Sequence, residues 1–215
     1  MASSSTTGAP IAERSLLDAL DLACRRGGRL VFEGVEFALE AGDALVLRGP
    51  NGSGKSSLLR LLAGLIRPVS GHLSWAGTDI AASASEHRAR LHYIAHADGL
   101  KPSLELAANL QFAAALAGVR GELPSALAGF GLETLAGTPV RYLSAGQRRR
   151  AALARLLLAP RPLWLLDEPG VGLDRASRNR LETAIAAHRR TGGIAVVATH
   201  GDVEVPSALV LDMPG

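Results

Sequence analysis

Two short stretches hold residues whose types and spacing could act on a chain of phosphates. Gly49-Pro50-Asn51-Gly52-Ser53-Gly54-Lys55-Ser56 fits the pattern Gly, four residues, Gly-Lys-Ser. A triphosphate carries several negative charges, and backbone N–H groups curled inward meet them most closely. Glycines at 49, 52 and 54 permit the backbone conformations and the close approach this requires. Lys55 would bridge β- and γ-phosphate oxygens, and Ser56 would ligate Mg²⁺. Ser57 follows at the head of a helix whose positive end faces the same phosphates. The second stretch, Leu163-Trp164-Leu165-Leu166-Asp167-Glu168, is four apolar residues followed by two acids. A buried strand would deliver Asp167 to its C-terminal end, where α/β sheets bind ligands. Asp167 would hold Mg²⁺, directly or through water, and Glu168 would face the attacking water as general base. The bland alternatives are a glycine-rich turn and a strand ending in solvated acids. Trp164 reads as core.

Elements of a definite kind must position these residues. Ala44–Leu47 is a short apolar run leading into the glycine-rich loop, and Ser56–Leu65 reads as a helix with Leu58, Leu59, Leu61, Leu62 and Leu65 on its apolar side. That strand–loop–helix context is what a phosphate loop needs, and it suits kinases, GTPases and ATPases alike. Upstream, Ser15–Cys24 and Leu30–Leu39 are strand-like around a Gly-rich turn, and His72–Trp75 with Gly77–Ile80 reads as a hairpin. From about residue 97 to 160, Ala and Leu dominate at helical spacing and strand signals vanish, which predicts an inserted helical lobe. Leu163–Leu166 and Ile194–Thr199 are strand-like again. Strand alternating with helix argues for an α/β domain on a parallel sheet.

Composition bounds the rest. The 215 residues suffice for one α/β domain over 15–215, with residues 1–14, small and polar, read as a disordered tail without the pattern of a secretory signal. Mean hydropathy of +0.18 fits continuous apolar strands, and no run of 18 uncharged apolar residues predicts a membrane span. The single cysteine, Cys24, rules out an internal disulfide. A net charge of +3 without a basic run interleaved with aromatics argues against a nucleic-acid partner. Only two of the 23 basic residues are lysines, Lys55 and Lys101. In so arginine-rich a chain, a lysine inside the glycine loop points to a chemical requirement.

A third motif narrows the family. Leu143-Ser144-Ala145-Gly146-Gln147, followed by Arg148-Arg149-Arg150, resembles the signature sequence of the ABC (ATP-binding cassette) proteins, with Ala145 where Gly is usual. A Ser before a helix is also an ordinary N-cap, but this one lies roughly twenty residues ahead of Asp167-Glu168. Val171-Gly172-Leu173-Asp174 is similar to the family's loop ending in Leu-Asp, and His200 stands where its switch histidine does. The resemblance implies a P-loop NTPase fold, an ABC cassette with a mainly parallel sheet core and an inserted helical lobe carrying the signature. It also implies ATP and Mg²⁺ as ligands, catalytic roles for Lys55, Glu168 and His200, and Asp174 at the contact between two ATP sites. Two departures stand out. His96 occupies the loop that usually holds a glutamine, where it could touch Mg²⁺ or water. The early aromatic that stacks on adenine is missing, and Arg26 is closest to it by spacing; a guanidinium can stack on a purine.

Three stretches sharpen the resemblance: His96 to Pro102, Tyr142 to Arg150 and Pro162 to Pro169 look like the cytochrome c maturation ATPases, the CcmA or haem exporter ATP-binding family. That resemblance implies an ATP-dependent homodimer whose signature, Leu143 to Gln147, closes over the partner's ATP. It implies an integral membrane subunit resembling CcmB, other cytochrome c maturation proteins as partners, and a peripheral place on the cytoplasmic face of a bacterial inner membrane. The alternatives are a transporter ATPase for another substrate and a soluble ABC ATPase of DNA repair or translation. The latter usually carries two cassettes or a long coiled-coil insertion. A P-loop kinase would need neither the Ser144–Gln147 signature nor the Asp174 loop.

Overall fold

A computed structural model describes residues 15–119 and 121–213; the expected tail, 1–14, lies outside them. The chain opens with an antiparallel hairpin, β1 (Leu17–Arg26) and β2 (Arg29–Leu39), turning on Gly27 and Gly28. Next come β3 (Ala44–Arg48) and helix α1 (Lys55–Leu62). The second hairpin follows as β4 (Ser70–Trp75) and the short β5 (Thr78–Asp79). A one-turn helix α2 (Ala84–Ala89) leads to β6 (Leu91–Ile94). Helices α3 (Leu106–Leu116), α4 (Leu123–Gly129) and α5 (Ala145–Leu158) occupy about half of the segment expected to be helical, which contains no strand among its described residues. The chain returns through β7 (Leu163–Asp167), α6 (Arg175–Arg190), β8 (Ile194–Ala198) and β9 (Leu209–Asp212).

The strands form two sheets. β6-β7-β8-β3-β9 is parallel throughout, while the two hairpins build an antiparallel sheet in the order β2-β1-β4-β5. Every residue of β7 and β8 is buried, as a sheet covered on both faces demands. Side chains alternate between the two faces with the period of a strand. Leu45, Leu47, Leu163, Leu165, Ile194, Val196 and Ala198 pack towards α1 and the antiparallel sheet. Ala44, Trp164, Leu166, Ala195 and Val197 pack on the opposite side with α3, α5 and α6, around the fully buried Phe130. Trp164 is core, as expected, with its ring stacked on His188 at 4.0 Å between centroids.

One expectation fails in detail. The helix after the loop ends at Leu62, not Leu65. Gly64 adopts a left-handed conformation (φ 65°), Leu65 N–H donates to Arg60 O and Gly64 N–H to Leu61 O. This is a Schellman closure, which a glycine makes inexpensive. It throws Leu65 out to the surface, whereas Leu58, Leu59, Leu61 and Leu62 are fully buried and hold α1 against the sheet. At about 1.5–3 kcal/mol for each buried leucine, the helix is fixed by its packing, since eight residues would not be helical alone. The hairpin strands expected at 72–75 and 77–80 are β4 and β5, with bounds shifted by one or two residues.

Candidate functional site

The glycine-rich loop joins the end of β3 to the start of α1, so its backbone N–H groups and the positive end of α1 converge. Two glycines are required by space as well as conformation. A Cβ on Gly49 (φ 145°) would lie 2.7 Å from Ser53 Oγ and 2.8 Å from Met213 O; one on Gly54 (φ 99°) would lie 2.7 Å from Val31 Cγ1. Helix α1, like α2, α3 and α4, has no side-chain cap; its N-cap is Gly54, which has no side chain to offer. Its first N–H groups therefore have no side-chain acceptor of their own and face the loop, where an anion could meet them. Lys55 is buried, and its Nζ donates to Gly49 O at 2.7 Å and Pro50 O at 2.9 Å, which holds the charge inside the loop. The buried hydroxyl of Ser53 finds no partner among the described residues.

The end of β7 lies beside this loop because α1 packs directly on the sheet. Ser56 Oγ donates to Asp167 Oδ1 at 3.0 Å, across 111 residues of chain. The two oxygens expected to share a cation are therefore neighbours. Glu168 follows in a left-handed backbone conformation (φ 47°), one of few such non-glycine residues among those described, with its N–H bonded to Ala198 O at 2.9 Å. Strain of this kind costs on the order of 1–3 kcal/mol and persists only where the surroundings impose it. Its carboxylate stands between two imidazoles: His200 Nε2 is 3.3 Å from Oε1, and His96 Nδ1 is 3.8 Å from Oε2. His200 comes from the loop after β8, the strand that pairs with β7 in parallel, so both strands deliver their last residues to one edge.

A cleft of about 450 Å³ gathers Arg26, Asn51, Gly52, Gly54, Lys55, Ser56, Ser57, His96, Asp167 and Glu168. Arg26, the residue expected to meet adenine, is among the residues lining the cleft, carried there by the end of β1. His96 is likewise brought in, although its side chain is largely exposed.

The signature stands apart, with no residue of Leu143–Gln147 lining the cleft. Ser144 and Gln147 form a reciprocal capping box on α5: Ser144 N–H donates to Gln147 Oε1 at 2.7 Å and Gln147 N–H to Ser144 Oγ at 3.2 Å. Gly146 lets this turn lie against the Asp174 loop, since a Cβ there would come within 3.0 Å of Gly172 O. Asp174 caps α6 through Ser177 N–H at 2.8 Å, and hydrogen bonding with Ser177 holds its carboxyl below the usual carboxylate range.

Sequence reasoning missed Arg149. It is 5% exposed, and its guanidinium donates to the carbonyls of Ala95, Asp167, Glu168 and Pro169 and to Asp98 Oδ1. A signal was present. Arg149 lies three and four residues before Ala152 and Leu153, on the apolar face of α5, and a charge on such a face must find partners inside.

Comparison with known proteins agrees with this geometry. The sequence model of the ABC transporter family matches residues 32–171. The chain is 52% identical over 204 residues to the cytochrome c biogenesis ATP-binding export protein CcmA of Paramagnetospirillum magneticum, covering 93% of this chain and 94% of that protein. It is 56% identical over 193 residues to the CcmA of Rhodospirillum rubrum, covering 89% and 82%. A solved ATP-binding subunit of an ABC transporter superposes with a TM-score of 0.79 at 28% identity, over 87% of this chain and 80% of that one. A solved protein from Pyrococcus furiosus shares the fold with a TM-score of 0.80 at 23% identity, over 93% of this chain and 98% of that one.

Proposed function

The chain belongs to the ABC transporter family and, within it, to the cytochrome c biogenesis ATP-binding export proteins, and from that premise we propose that it is the ATP-hydrolysing subunit of an inner-membrane complex that serves c-type cytochrome biogenesis. The observation that carries the reading is the convergence of Lys55, Ser56, Asp167, Glu168 and His200 at one sheet edge beside an uncapped helix N-terminus.

The residues' parts follow from their chemistry. The loop N–H groups and α1 bind the β- and γ-phosphates, and Lys55 turns from the loop carbonyls to the phosphate oxygens. Ser56 and Asp167 offer two hard oxygens 3.0 Å apart, a set that suits Mg²⁺, which takes few protein ligands and completes its shell with phosphate and water. Ser56 and Asp167 would hold Mg²⁺, which would supply positive charge to offset that of the phosphates. Glu168 accepts a proton from the attacking water, and His200, with Nε2 3.3 Å from the carboxylate, helps to orient it. His96 stands on the other side of Glu168, and Arg26 supplies a planar cation for the adenine face.

The segment from about 97 to 160 acts as a helical subdomain that presents the signature to a second copy of the chain. One cleft carries a phosphate loop, and one exposed turn carries Ser144 at a helix N-terminus. Twofold pairing of identical chains would bring the two together at both sites. Among the described residues no helix is long and apolar enough to cross a membrane. The likeness to the CcmA proteins supports an integral subunit resembling CcmB as the path through the bilayer, with this chain on its cytoplasmic face.

Deletion of the gene with complementation tests the reading. Cells lacking the chain should lose covalently haem-stained c-type cytochromes, wild type should restore them and Glu168→Gln should not. Affinity purification from detergent-solubilised membranes should bring down an integral CcmB-like subunit. Normal c-type cytochromes in the deletion strain would refute the biological role and leave the ATPase assignment standing.

A further inference from the structure

Arg149 uses its whole donor set in one place. A guanidinium carries five N–H donors in a fixed planar fork, and here each side of the fork holds a different segment. Nη2 donates to Asp167 O and Glu168 O, both at 2.8 Å, and Nε to Pro169 O at 3.3 Å. Nη1 donates to Ala95 O at 2.8 Å and to Asp98 Oδ1 at 3.4 Å. Three successive carbonyls, from 167 to 169, thus converge on one side chain. Consecutive carbonyls of an extended chain point to opposite sides; they meet one cation here because the backbone turns left-handed at Glu168. The loop carrying His96 is tied to the same fork through the residue before it and the residue two after it.

We infer that Arg149 is the positioning residue for the general base: it holds Glu168 in its left-handed conformation and sets the carboxylate against His96 and His200. This rests on the reading of Glu168 as the base. The side chain does not itself line the cleft; it acts through the backbone carbonyls of Ala95, Asp167, Glu168 and Pro169 and through Asp98 Oδ1. It stands on α5, two residues beyond the signature. Any displacement of that helix by a partner's nucleotide is therefore passed straight to the base. Lysine could not substitute fully, because a single ammonium offers three donors and no planar fork.

The test uses the full-length chain, with Arg149→Gln, Arg149→Lys, Glu168→Gln and the double variant Arg149→Gln/Glu168→Gln. MgATP affinity, kcat and KM are measured for each. Arg149→Gln should lower kcat by about 10²-fold, the scale of a roughly 1 Å misplacement of a catalytic group, with KM and the ATP dissociation constant within about threefold of wild type. Arg149→Lys should fall between the two. On the Glu168→Gln background, Arg149→Gln should cost nothing more, because both changes remove the same contribution. If the glutamine variant fails to fold, the lysine variant decides: wild-type kcat there overturns the inference. A double variant whose losses multiply would also overturn it, by showing that Arg149 acts elsewhere. Normal turnover by Glu168→Gln alone would instead refute the base assignment.

Discussion

Replacing Glu168 by Gln removes one proton acceptor and changes little else in the geometry. The backbone is anchored independently of the side chain, by Glu168 N–H to Ala198 O at 2.9 Å and by Arg149 to three carbonyls. Gln makes the same demand on the left-handed φ of 47° as Glu, so no new strain is added. Its amide keeps one oxygen and nearly the same volume between His200 and His96, 3.3 and 3.8 Å from the carboxylate oxygens. The phosphate loop, Lys55 and the Ser56–Asp167 pair are untouched. The loss should therefore fall on the chemical step alone. General-base catalysis contributes about 10²–10⁴-fold, which is about 3–5 kcal/mol of barrier at 1.36 kcal/mol per decade. Single-turnover hydrolysis of γ-labelled MgATP, with nucleotide binding measured by equilibrium dialysis, separates the two steps. The hydrolysis rate should drop by at least 10²-fold while the dissociation constant stays within about threefold. Hydrolysis within threefold of wild type would refute the assignment and leave the strained conformation at 168 without a chemical purpose.

Three further outcomes follow. With Mg-ATP, Glu168→Gln should sediment as a dimer, and adding Ser144→Arg should return it to monomer while each subunit still binds ATP, because the signature lines none of its own cleft; a double variant that still dimerises would disprove the facing of signature and partner site. His96→Ala, altering a largely exposed side chain at the edge of the Glu168 carboxylate, should lower partner-stimulated hydrolysis more than basal hydrolysis, and unchanged rates would reduce His96 to a loop residue. Folding stability should fall in acid: burial above all, opposed by the Ala159 carbonyl and helped by Arg161, Arg155 and His188, brings His92 from 6.5 to about 4. Between these values the unfolded chain takes up a proton that the folded chain refuses, so stability present above pH 6.5 is lost as pH drops, by up to about 3 kcal/mol near pH 4. His87 and His188, also lowered by burial, act in the same sense. Urea titrations at pH 7, 5.5 and 4.5 should show the loss, and His92→Gln should flatten it.

The order and kind of the chemical motifs were determined by sequence alone. A phosphate loop is legible because glycine spacing, a lysine and a hydroxyl are local requirements, satisfied within eight residues. The same holds for the apolar run ending in Asp167-Glu168, since a strand buried on both faces must be apolar throughout. What sequence could not decide was which segments meet. The joining of the two hairpins into one antiparallel sheet, the edge strand β6 and the last strand β9 went unread: β6 and β9 are four residues each, too short for periodicity to separate them from loops. The bond between Ser56 and Asp167 spans 111 residues and exists only because α1 packs on the sheet beside β7. The left-handed turn at Glu168 is set by hydrogen bonds from two distant segments, Ala198 and Arg149, not by its own residue type, which disfavours it. Arg149 itself reads locally as one of four arginines on an amphipathic helix. Only the packing of that helix against the end of β7 makes it the residue whose five donors have no other place to go.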